Sequence, residues 1–345
     1  MGHLSDEQDL SPGPSPFELA LPLTWRTRLR SLTTAASRRL RATTYLRKWL
    51  ALGLLLGVIA GLGAVAFYRT LELASHLFLT DLAGYQIPTP AGEGNLAGSM
   101  GFGRPWAVPL IVGLGGLLSG LLVFGLAPET EGHGTDAAIS AVHDNPRGVR
   151  LRALAVKIVA SAITIGSGGS GGREGPTAQI SAGFGSFLAR VLDLSPADGR
   201  IAVAVGIGSG IGSIFGAPLG GALLSAEILY RDDIEVEAIL PSLIAAVIGY
   251  TVFSAFQGFE PLFGFAGQAY QFTHPLSLAW YAVIGIVGGF IGLAYAKSFY
   301  GIGDLFERLP VPRWMRPAIA GLLVGSLAIA LPQVMGTGYG WIQKG

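Results

Sequence analysis

Residues 166–176 read Gly-Ser-Gly-Gly-Ser-Gly-Gly-Arg-Glu-Gly-Pro, and within this glycine-rich stretch Arg173 and Glu174 are the two groups able to do chemistry. Both flanks are membrane-like. Upstream, residues 154–165 are apolar except for Lys157, Ser161 and Thr164; downstream, residues 177–194 read as a helix spotted with Gly, Ser and Ala. The glycine stretch therefore breaks two helices inside a bilayer. Backbone polar groups at that depth are tolerated only where protein or a water-filled cavity surrounds them, so the unwound segment predicts a site rather than a hinge. Pro176 suits the first turn of a helix, where its missing N–H costs nothing. Glu174 then lies beside a helix N-terminus whose free amides and dipole favour an anion. The carboxylate is expected to compete with a mobile anion for the same amides. The plain alternative is a glycine cluster for helix packing, with Arg173 and Glu174 paired structurally. An ionisable pair within a membrane segment is functional by default, which favours the first reading.

Soluble motifs with similar glycine patterns do not fit. Gly166, Gly168 and Gly171 satisfy G-x-G-x-x-G literally, but a dinucleotide fold needs a short strand and βαβ units, and these flanks have the length of membrane helices. A P-loop fails because Arg173-Glu174 stands where Lys-Ser/Thr is required.

Composition agrees with a bilayer setting. Charged residues are 13%, hydrophobic ones 50%, and 52 of 345 residues are glycine, about twice the usual share. Mean hydropathy is +0.53. The formal net charge of +1 asks for neither nucleic acid nor an acidic partner. Cysteine is absent, which excludes disulfides and thiolate metal sites, and five scattered histidines argue against a metal centre. No cofactor is indicated, nor is an enzyme: no paired nucleophile and base is found.

Residues 1–24 read as a disordered tail, since the Ser-, Pro- and acid-rich start lacks the layout of a signal peptide. Residues 25–48 carry Arg26, Arg28, Arg30, Arg38, Arg39, Arg41, Arg47 and Lys48 with no acid. Such a block before the first span predicts a cytoplasmic or interfacial basic helix by the positive-inside rule, and its charges serve lipid headgroups. Residues 49–345 form the transmembrane domain. Full-length apolar runs are read near 49–80, 106–127, 241–256, 276–300 and 317–331. Between 128 and 230 the runs are too short to cross and are divided by glycine clusters, the pattern of discontinuous helices in transporters. Gly53, Gly57 and Gly61, and again Gly116 and Gly120, recur every fourth residue and mark faces for close helix contact. Trp49, Trp106, Trp280 and Trp314 open four of the runs, as an aromatic belt would.

Gly172-Arg173-Glu174-Gly175-Pro176 resembles the G-K/R-E-G-P signature of the CLC family of chloride channels and proton/chloride exchangers. Residues 214–221, Ile-Phe-Gly-Ala-Pro-Leu-Gly-Gly, with Glu227, resemble the start of a later helix of that family, at a matching distance. Gly132-His133-Gly134-Thr135-Asp136 stands where the family has Gly-Ser-Gly-Ile/Val-Pro. The resemblance covers about residues 45–340. It implies an all-α, polytopic membrane protein with a CLC-type inverted-repeat fold and discontinuous re-entrant helices. It also implies chloride transport as a channel or proton-coupled exchanger, homodimers, and a bacterial inner membrane with a cytoplasmic N-terminus. Carried over residue by residue, Glu174 is the gating glutamate, and amides around Arg173, Glu174 and Gly175 cup the anion from one side. Gly132, His133 and Gly134 supply the inner helix N-terminus from the other. Glu174 and Glu227 are candidates for a proton path. Arg173 is expected to tether structure or tune the field, because a full cation would bind a permeating anion too well.

Three departures from the family pattern stand out. His133 replaces the serine whose hydroxyl touches the central anion, and a neutral ring donor is expected there. Ile228 occupies the position at which exchangers commonly keep an inner glutamate, so proton coupling is in doubt; Glu227 has the alternative of pairing with Arg231. The features of the family's second half, a glycine-rich helix start with Phe and a tyrosine closing the central site, are not found after Leu331. Residues 336–340, Gly-Thr-Gly-Tyr-Gly, resemble the loop before those helices, so Tyr339 is not that tyrosine. The expectation is the first repeat plus the opening helices of the second, as in a truncated gene product. A non-conducting membrane scaffold or regulatory fragment stays open as the alternative function.

Overall fold

The computed structural model describes residues 43–94, 97–99, 101–230, 233–264 and 274–344. The expected tail 1–24 and nearly all of the basic segment 25–48 lie outside these residues. Among the described residues the structure is helical, and the one β-like contact is an isolated parallel bridge between Ser170 and Gly336.

Helix α1, Tyr45–Ser75, runs straight into a π-helical stretch, His76–Ala83. Together they make one 39-residue apolar rod, about 58 Å long at 1.5 Å per residue and roughly twice the thickness of a hydrocarbon core. Strong tilt follows, as the sequence implied. Helix α2 is Ala107–Leu126. Three shorter helices come next: α3, Thr135–His143; α4, Leu151–Gly166; and α5, Glu174–Val191. After them stand α6, Pro196–Ile214, and α7, Pro218–Glu227. Longer elements return with α8, Val236–Gln257, and α9, Ser277–Glu307, before α10, Arg316–Ala330, and the short α11, Tyr339–Lys344. Among the described residues, four stretches are long and apolar enough to cross a membrane: Tyr45–Ala83, Ala107–Leu126, Val236–Gln257 and Ser277–Glu307.

Two elements differ from the sequence reading. Helix α10 was expected to span, but at 15 residues it is held between the turn Arg313–Met315 and Pro332, and about 20 residues are needed to cross. Trp49 was expected at an interface, but it is 1% exposed and turned into the core. The reason is its register: it shares the inward face of α1 with Leu52, Gly53 and Leu56.

Glycine faces set the packing. In a bilayer the surrounding lipid is as apolar as the helices, so association depends on close van der Waals contact, which small residues permit. On α1, a Cβ on Gly57 would come within 2.7 Å of the Ala245 carbonyl and one on Gly61 within 2.7 Å of the Gly249 carbonyl, both on α8. On α2, Gly116 and Gly120 lie against the Pro317 and Trp314 carbonyls, each 2.2 Å from the position a Cβ would take. Helix α6 is the central rod, with residues 201–214 all buried, packed by α1, α5, α7 and α8. Gly206 on α6 faces the Ser181 carbonyl of α5, and Gly185 on α5 faces the Ala202 carbonyl of α6. These reciprocal contacts lock α5, whose N-terminus carries Glu174, onto the centre of the molecule. Helix α9, by contrast, buries none of its residues among those described.

Candidate functional site

The break between α4 and α5 forms as the sequence dictates. Gly168, with φ 104°, takes a conformation that side-chain-bearing residues avoid, and the chain unwinds from Ser167 to Arg173. The freed backbone groups find partners: Gly169 N–H donates to the Thr164 carbonyl at 2.9 Å and Gly171 N–H to the Gly336 carbonyl at 3.2 Å. The segment 336–340 thus lies alongside the glycine stretch. Arg173 is the N-cap of α5 and Glu174 its first residue. The Glu174 carboxylate curls back over Gly172, where a Cβ would sit 1.8 Å from Oε2. Only glycine leaves room for that pose.

The second helix start arrives from α3. Gly132 and Gly134 have φ 82° and 111°, and Gly134 caps α3. The two N-termini abut: a Cβ on Gly175 would lie 2.2 Å from the His133 carbonyl, and one on Gly134 would lie 2.5 Å from the Gly175 carbonyl. Residues that the sequence paired only by resemblance are therefore in backbone contact. Gly132, His133, Glu174 and Gly175, together with Lys157, line one cavity of about 770 Å³. Glu174 itself is exposed to it. Two sets of partly free helix N–H groups meeting at one open cavity provide partial positive charge, which suits a small anion held weakly.

His133 behaves differently from a simple donor to that cavity. Its Nδ1 accepts from the Thr135 N–H at 3.3 Å, and its Nε2 faces Asp136 Oδ2 at 3.3 Å. With Nδ1 accepting, the neutral tautomer has its N–H at Nε2, on the side of Asp136, and the half-exposed ring still borders the cavity.

Arg173 is 2% exposed and leaves the cavity for the opposite side. Its Nη1 pairs with Glu93 Oε1 at 2.7 Å, and its guanidinium lies 5.1 Å from the Tyr339 ring, 5.6 Å from Tyr68 and 5.9 Å from Phe215. The expectation that Arg173 tethers structure agrees with this geometry. Glu227 is exposed at the C-terminus of α7 and is not among the residues lining the cavity that holds Glu174. Its suggested partner Arg231 lies outside the described residues.

Three residues that the sequence reading passed over belong to the site. Lys157, 3% exposed, donates from Nζ to the Gly132 carbonyl at 2.7 Å and the Thr130 carbonyl at 3.1 Å. It secures the turn that opens α3 and sets a positive charge behind it. The signal was present, since a lone cation in an apolar membrane run is a functional marker. Tyr339, set aside above as not the missing tyrosine, donates its hydroxyl to Glu174 Oε1. Glu93 is the third, and nothing in its loop sequence marks it.

Comparison with known proteins gives this arrangement a family. The family model described as voltage gated chloride channel matches residues 115–345. The putative chloride channel protein ClcB-like of Ralstonia nicotianae is 32% identical over 241 residues, 68% of this chain and 55% of that protein. The chloride/fluoride channel protein of Pseudomonas syringae pv. tomato is 28% identical over 300 residues, 83% of this chain and 58% of the relative. The crystal structure of a slow cyanobacterial Cl−/H+ antiporter superposes with a TM-score of 0.68 at 24% identity, over 85% of this chain and 66% of that one. The chain thus spans just over half the length of these curated relatives. The helix order, the broken α4–α5 pair and the superposition meet the expectation of an all-α polytopic CLC-type fold, and the apolar helices that of an integral membrane protein. The chain belongs to the voltage gated chloride channel family.

Proposed function

We propose that the protein moves chloride or a similar anion across a membrane, through the cavity between the N-termini of α3 and α5, with Glu174 as the gate. The observation that carries this reading is the backbone contact of Gly134 with Gly175 beside a cavity that both Glu174 and Lys157 line. Conduction needs binding weak enough to release the ion. Helix amides and a lysine already engaged with two carbonyls meet that need better than free cations. The positive-inside rule, applied to the basic residues between Trp25 and Lys48, puts the N-terminus on the cytoplasmic side. A homodimer in a bacterial inner membrane is the assembly that the family resemblance implies.

Transport is proposed to be channel-like or weakly coupled to protons. Ile228 packs against the core around α6 where exchangers of the family keep a carboxylate, and Glu227 does not reach the Glu174 cavity. A proton crossing low dielectric needs a carrier group or water chain at each stage. The test is the reversal potential of the purified full-length protein under opposed chloride and proton gradients. A potential that follows chloride alone is the expected result; a fixed stoichiometric proton shift would sink the weak-coupling reading, and absence of any chloride current would favour a non-conducting scaffold.

His133 makes a second, separable prediction. His133→Ser is expected to alter anion selectivity or the pH response of flux while leaving thermal stability within about 0.5 kcal/mol, as for a surface-accessible substitution. It removes the contacts to Thr135 and Asp136 and offers a hydroxyl to the same cavity. Flux assays with competing anions across a pH series decide; an unchanged profile places the side chain outside the path.

A further inference from the structure

We infer that Glu93, on the outer loop between α1 and α2, is a positioning residue that cancels the charge of Arg173 and thereby keeps the adjoining anion site weak. The inference rests on the anion-path reading above and adds a residue to it. Glu93 closes a 3-10 turn, Ala91–Glu93, and its carboxylate reaches Arg173 Nη1 at 2.7 Å. The side chains are only 2% and 15% exposed, for Arg173 and Glu93 in turn, so the pair is shielded from solvent and salt, unlike a surface bridge. Arg173 has no other carboxylate within salt-bridge distance among the described residues, and its Nε and Nη2 make no hydrogen bond there. The three rings around it screen little charge. Glu93 is thus the group that neutralises the cation next to Glu174.

The turn is built to hold that carboxylate in place. Ala91 N–H donates to Gln343 Oε1 of α11 at 2.7 Å, and Gly92 N–H donates to the Leu262 carbonyl at 3.2 Å. Gly92 packs so closely that a Cβ would lie 2.3 Å from the Pro261 carbonyl. Lys344 Nζ donates to the Ala97 carbonyl at 2.7 Å. Helix α11 therefore grips the loop by Gln343 and Lys344, while its first residue, Tyr339, grips Glu174. The loop, Arg173 and Glu174 form one connected cap. Loss of the Glu93 charge leaves a bare guanidinium beside amides that bind the anion, and a full cation there holds the ion too long.

The experiment compares Glu93→Gln, Glu93→Asp and the double variant Glu93→Gln/Arg173→Gln in proteoliposomes of the full-length protein. Half-saturating chloride and maximal flux are read separately. Glu93→Gln is expected to lower half-saturating chloride roughly tenfold, the effect of one added charge near a partly solvated site, and to lower maximal flux with it. Glu93→Asp, which keeps the charge, is expected to stay near the parent. The double variant is expected to return half-saturation close to the parent value. Parent-like half-saturation in Glu93→Gln, or a shift that survives in the double variant, overturns the inference. Should Glu93→Gln fail to fold, a folded and transporting double variant supports it, whereas failure of both overturns it. Repeating the series in a Glu174→Gln background, and measuring chloride binding by calorimetry, separates a wrong gate or wrong transport reading from a wrong role for Glu93.

Discussion

Glu174→Gln is expected to raise chloride flux at neutral pH by roughly tenfold and to leave that flux flat with pH. The physical basis is competition. A carboxylate at a helix N-terminus gains up to ~2 kcal/mol from the dipole and the free amides, and each 1.4 kcal/mol is a factor of ten in occupancy. Glutamine keeps the length and shape of the side chain and can still accept from the Tyr339 hydroxyl that now bonds Glu174. The substitution therefore removes charge while preserving the pose. Any pH dependence of the parent's flux that arises from this competing charge is expected to disappear in the variant. Liposome flux measured across a pH series checks both parts, and a variant that keeps the parent's pH dependence would remove Glu174 from the gate.

The second large effect is expected at Gly175. Alanine there places a Cβ 2.2 Å from the His133 carbonyl oxygen and 2.8 Å from its carbon, both backbone atoms with no rotamer to yield. The starts of α3 and α5 must then separate by about an ångström. Overpacking of this kind costs about 1–3 kcal/mol. The loss of function should exceed the loss of stability, because the proposed anion path runs between the two helix starts that this contact holds together; flux is expected to fall more than about tenfold, beyond what 1.4 kcal/mol would give. Gly125→Ala on α2 is the control, since nothing lies within 4 Å of the added methyl. Parent-like flux from Gly175→Ala in a folded protein would show that the abutting helix starts are not the transport geometry.

The break at residues 166–176, the placement of Glu174 at a helix start and the close faces of α1 and α2 were all readable along the chain. Each is a local matter. Glycine's tolerance of positive φ acts at Gly168 itself, Pro176 acts on its own turn, and a four-residue glycine spacing fixes which side of a helix is smooth. The apolar run read at 154–165 likewise falls inside α4, Leu151–Gly166. The exceptions are instructive. Hydropathy alone made residues 317–331 a span and put Trp49 at an interface, yet length limits α10 and the packed face of α1 takes the tryptophan inward.

What spacing left open was the identity of long-range partners. Lys157 and the Gly132 carbonyl are 25 residues apart, and Tyr339 and Glu174 are 165 apart. Glu93 meets Arg173 from a loop with no helical period of its own. Such pairs are decided when whole helices dock, and docking here follows from many small backbone contacts at glycine along α1, α5, α6 and α8. The sum of those contacts sets helix position, and no single residue announces it. The sequence by itself therefore determined the family, the membrane setting and the candidate gate, because each rests on local backbone chemistry or a contiguous motif. Only the tertiary structure decided that His133 sits beside Asp136, that Lys157 braces α3, and that Glu93 faces Arg173, because side-chain partners depend on where rigid helices come to rest.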